Sequence, residues 1–70
     1  MTIEQFVTIL DAYHQHHPTY RRGQCLMNVL HGLRPDLYNR ACAENLDVFY
    51  STDENDITAV LLWLEHRFAR

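Results

Sequence analysis

The sequence predicts a small all-α bundle of four helices. Three observations carry this reading. Apolar residues recur at three- and four-residue spacing in four separate segments, the repeat of one helix face. The segment boundaries carry helix punctuation: Thr2 with Gln5, Pro18, Pro35, and Asp53 with its acidic neighbours. Only Leu46-Asp47-Val48-Phe49-Tyr50 alternates enough to pass for a strand. With no second strand to pair with, it reads as a connector with anchored aromatics.

The first helix spans about residues 2–16. The Thr2 hydroxyl can cap the orphan amides, and Gln5, three residues on, completes a capping box. Ile3, Phe6, Val7, Leu10 and Tyr13 make its inward face, and the helix frays among His14, Gln15, His16 and His17 before Pro18. The second helix covers about 20–32, with Thr19 as its cap. Gly23, Leu26, Met27, Leu30 and Leu33 share one side. Gly23 would let another backbone approach closely. Gly32 is expected just past the helix end in a left-handed conformation.

The third helix covers about 35–44. Pro35 fits its first position, where the missing N–H costs nothing, and Asp36 suits the positive end. Leu37, Tyr38, Ala41 and Cys42 turn inward. In the connector, Phe49 is expected to plug the core and Tyr50 to offer an aromatic anchor for a partner. The last helix covers about 54–68, capped by Asp53 or Asn55, with Glu54 and Asp56 favourably placed in the first turn.

The chain's 70 residues make one domain, and a core of that size rarely supplies more than roughly 3–5 kcal/mol. Small domains supplement this with disulfides, metals or self-association. Cys25 and Cys42 are too few for a disulfide scaffold and match no metal-ligand spacing; they read as free, mostly buried thiols of a reducing cytosol. Met1 leads directly into a polar start without a signal-peptide pattern, and no apolar run reaches the ~18 residues of a membrane span. The expectation is a cytoplasmic protein with self-association as its supplement.

The last helix supports that expectation. Ile57, Val60, Leu61, Leu64 and Phe68 form one apolar stripe. Ala59, Leu62, Trp63 and His66 form a second on roughly the opposite side, at about 100° per residue. Burying one face takes only the rest of the chain; burying two calls for a partner. The second stripe is therefore the candidate self-association surface of a homodimer.

Other constellations are weaker. Asp11, His14 and His17 fall at i, i+3 and i+6, a spacing at which histidine and carboxylate can ligate zinc. No fourth ligand is evident, and histidines in a last helical turn already complement the helix end, so no metal site is assigned. Cys25 and His31 lie about 120° apart on one helix, which does not suit a thiolate nucleophile. The two glycines form no phosphate loop, and no cofactor is expected.

Arg21 and Arg22 stand in the first turn of the second helix, where their charge opposes the dipole; with Gln24 and Asn28 they are candidate partner-binding residues. All six cations are arginine, against nine carboxylates, for a net charge of −3. That balance argues against general phosphate-backbone binding. A helix-turn-helix reading places Arg34, Asn39 and Arg40 toward a groove and stands as the alternative.

The run from Gly23-Gln24 through Asn28, the segment Arg34-Pro35-Asp36-Leu37-Tyr38, the stretch Asp47-Val48-Phe49-Tyr50 and a terminal helix with Trp63 together resemble short proteins encoded by bacteriophages and bacterial mobile elements. The likeness covers about the last fifty residues. It implies a setting, the bacterial cytoplasm during infection, and it brings no activity with it. It also implies that Gly23, Gln24, Asn28, Pro35, Asp36, Asp47, Phe49 and Tyr50 are family features. The combined expectation is a non-enzymatic interaction module that binds a host or defence protein.

Overall fold

A computed structural model describes residues 1–68. It contains four helices: α1 (Ile3–His16), α2 (Arg22–Leu33), α3 (Pro35–Ala43) and α4 (Glu54–Phe68). No strand occurs among the described residues, so the all-α reading holds and 46–50 is a connector. The core is built from Phe6 and Leu10 of α1, Cys25, Leu26, Met27, Val29 and Leu30 of α2, Leu37 and Ala41 of α3, Val48, and Ile57, Val60, Leu64 and Phe68 of α4. Phe6 and Phe68 tie α1 to the far end of α4, with ring centroids 5.3 Å apart.

The helix ends follow their local chemistry. Thr2 and Gln5 close the capping box: Gln5 N–H donates to Thr2 Oγ1 at 3.2 Å and Thr2 N–H donates to Gln5 Oε1 at 2.9 Å. Asp53 caps α4, accepting from the Asn55 N–H at 2.8 Å. At the end of α3, Asn45 adopts a left-handed φ of 61°. There the Leu46 N–H donates to the Ala41 carbonyl at 2.8 Å and the Asn45 N–H to the Cys42 carbonyl at 3.2 Å. This is a Schellman closure with asparagine in the usual glycine position.

Several expectations need correction. Helix α2 begins at Arg22, with Arg21 as its cap residue, and Thr19 caps nothing. Residues 17–20 instead make a tight turn in which the Tyr20 N–H donates to the His17 carbonyl at 3.0 Å. Gly32 lies inside α2, and no glycine has positive φ among the described residues. The helix runs on through Leu33 because Arg34 both ends α2 and caps α3. Leu33 is exposed rather than inward, since the chain turns away at that point and leaves nothing to cover it.

Gly23 is buried against the connector. A Cβ at this position would collide with the Val48 carbonyl oxygen and crowd the Ile57 side chain. The close backbone approach read from the sequence is therefore real, and its partner is the connector.

Candidate interaction surface

On α4 the two stripes separate as the wheel predicts, with one exception. Ile57, Val60, Leu64 and Phe68 are buried, and Leu61 is half-buried against the core. Ala59, Leu62 and His66 are exposed, Leu62 to 54%. Trp63 departs from its stripe: it is half-buried and packs on the core. Its indole N–H donates to Glu44 Oε1 at 3.2 Å, and the Arg67 guanidinium stacks 3.8 Å from its ring centroid. The indole is long enough to lean from the outer stripe across to the end of α3, which a wheel of Cα positions does not register. The open apolar centre of the surface is thus Leu62, with Trp63 as its half-covered border.

Beside this face, α3 and α4 enclose a shallow depression of about 450 Å³ lined by Arg34, Leu37, Arg40, His66 and Arg67. Half of the chain's six cations stand around it. Each guanidinium is held in place. Arg34 makes a two-pronged pair with Asp36, at 3.0 and 2.9 Å. Arg40 Nε donates to Glu44 Oε2 at 3.2 Å. Arg67 donates to the Trp63 carbonyl at 2.9 Å. The Arg34 pairing holds the Asp36 carboxyl below its ordinary range. The Glu44 carboxyl is lowered in the same way, first by the hydrogen bond from Arg40 and then by that from Trp63.

The partner-binding candidates at the other end of the molecule are tied into the fold. Arg22 pairs with Asp11 at 2.7 Å, joining α1 to α2. Arg21 Nε donates to the Phe49 carbonyl at 3.4 Å, and its guanidinium lies 5.3 Å from the Tyr50 ring centroid. Asn28 donates to the Tyr13 hydroxyl at 3.2 Å across the α1–α2 contact, and Gln24 is half-buried on the same helix. These contacts explain the two arginines at the α2 start: their charge answers Asp11 and holds the connector, against a modest dipole penalty. Phe49 is half-buried on the core as expected, while Tyr50 is 81% exposed and meets the Phe49 ring edge-on.

The Asp11, His14 and His17 set is dispersed. Asp11 goes to Arg22, and His14 Nε2 donates to the Tyr20 carbonyl at 3.0 Å. His17 stacks on the Tyr20 ring at 4.7 Å and meets the Tyr13 ring at a tilt, 4.4 Å away. Among the described residues no three His, Cys, Asp or Glu side chains gather in a way that could hold a metal ion. Cys25 is fully buried, which pushes its thiol pKa up, and His31 faces the Tyr38 ring instead. Of the helix-turn-helix candidates, Arg34 and Arg40 are occupied by Asp36 and Glu44, and Asn39 is exposed.

No helix among the described residues is long and apolar enough to cross a membrane. No family model matches the chain, and no curated protein or solved structure shows significant similarity to it.

The depression is the feature that sequence reasoning missed. Arg34 and Arg40 belong to the cap and body of α3 and were already grouped by the helix-turn-helix reading; Arg67 joins them only where α4 docks beside α3. The available signal was the absence of lysine, since guanidinium groups suit multiply bonded, fixed positions.

Proposed function

We propose that the protein is a non-enzymatic interaction module that self-associates through the outer face of α4 and acts by binding another protein. The resemblance to phage and mobile-element proteins makes a bacterial host or defence protein the partner, met in the bacterial cytoplasm. The observation that carries the reading is the exposure of Leu62 at 54%, at the centre of a helix face with exposed Ala59 and His66. About half of the Leu62 surface is still open, so covering it gains roughly 0.8–1.5 kcal/mol. A core of this size leaves good reason to use it.

The test is sedimentation velocity at micromolar concentration with the wild type, Leu62→Arg and Trp63→Ala. The expected result is a wild-type dimer. Leu62→Arg should be monomeric with an unchanged far-ultraviolet helical signal. Trp63→Ala should weaken the dimer less, because much of its surface is already covered within the chain. A monomeric wild type refutes self-association.

A further inference from the structure

We draw no further inference here: the strongest candidate, the acidic surface patch that Asp47, Asp53, Glu54 and Asp56 make beside the exposed Tyr50 on the connector between α3 and α4, carries nothing, because its carboxylates are those of a turn and a helix start and nothing in the structure shows what covers it.

Discussion

Helices α2 and α4 are both rich in apolar residues, but the chain uses them differently. Helix α2 buries six of its 12 residues, Gly23, Cys25, Leu26, Met27, Val29 and Leu30. At about 100° per residue these cover more than half its circumference, because α1 and α3 both pack against it and the connector closes over Gly23. Helix α4 buries four of 15 residues along one stripe, and it leaves Leu62 in the open. Apolar residues beyond the facing stripe are consumed inside the chain when a helix is central and left over when it is at the edge. The surplus on α4 is the observation on which the proposal of self-association rests.

The largest effect that would sharpen this contrast comes from one substitution made at two leucines. Leu30→Ala removes a fully buried side chain from the centre of the core, and an unfolding loss of about 2–5 kcal/mol is expected. Leu62→Ala on the exposed face should change the stability of the single chain by no more than about 0.5 kcal/mol. Urea denaturation at concentrations too dilute for association measures both. Equal losses at the two sites would mean that Leu62 is covered within the chain, and the contrast would fail.

Gly23→Ala is expected to come next. In an open helix alanine would gain about 1 kcal/mol over glycine. Here the added methyl meets a backbone oxygen of Val48, which cannot swing aside as a side-chain tip could. A net loss of about 1–3 kcal/mol is expected from forcing the connector off α2. A stabilised variant would show that α2 is less enclosed than described.

The smallest effect concerns the border of the α4 face. Glu44 accepts from Arg40 and from Trp63, and its carboxyl is held below its ordinary value of 4.5. A carboxylate with a depressed folded-state pKa contributes stability that is present above the unfolded-state value and lost as pH falls through the folded-state value. Wild type should therefore lose slightly more stability than Glu44→Gln as the pH drops below 4.5, and the difference should shrink in high salt. Parallel urea titrations of the two proteins over that range would show it. Coincident curves would mean the Glu44 contacts do not hold Trp63 against α3.

Much of the fold was legible in the sequence because it depends on neighbours along the chain. The Thr2–Gln5 box, Pro35 at the start of α3, Asp53 before α4 and the buried stripe Ile57, Val60, Leu64 and Phe68 each follow from local spacing or capping. The α2 start was misplaced because the cap signal at Thr19 competes with a turn fixed by His17 and Tyr20 from outside the helix. The candidate surface was half legible. Ala59, Leu62 and His66 follow from helical spacing, whereas the position of Trp63 depends on Glu44, 19 residues away.

The sequence by itself determined the number and kind of the elements, most of their caps and the apolar side of each, since helical periodicity and capping are local interactions. Only the tertiary structure decided which helix lies at the centre, that Gly23 meets Val48, and that Arg34, Arg40 and Arg67 share one depression. Those outcomes depend on how separate helices dock, and docking joins residues that no spacing along the chain connects.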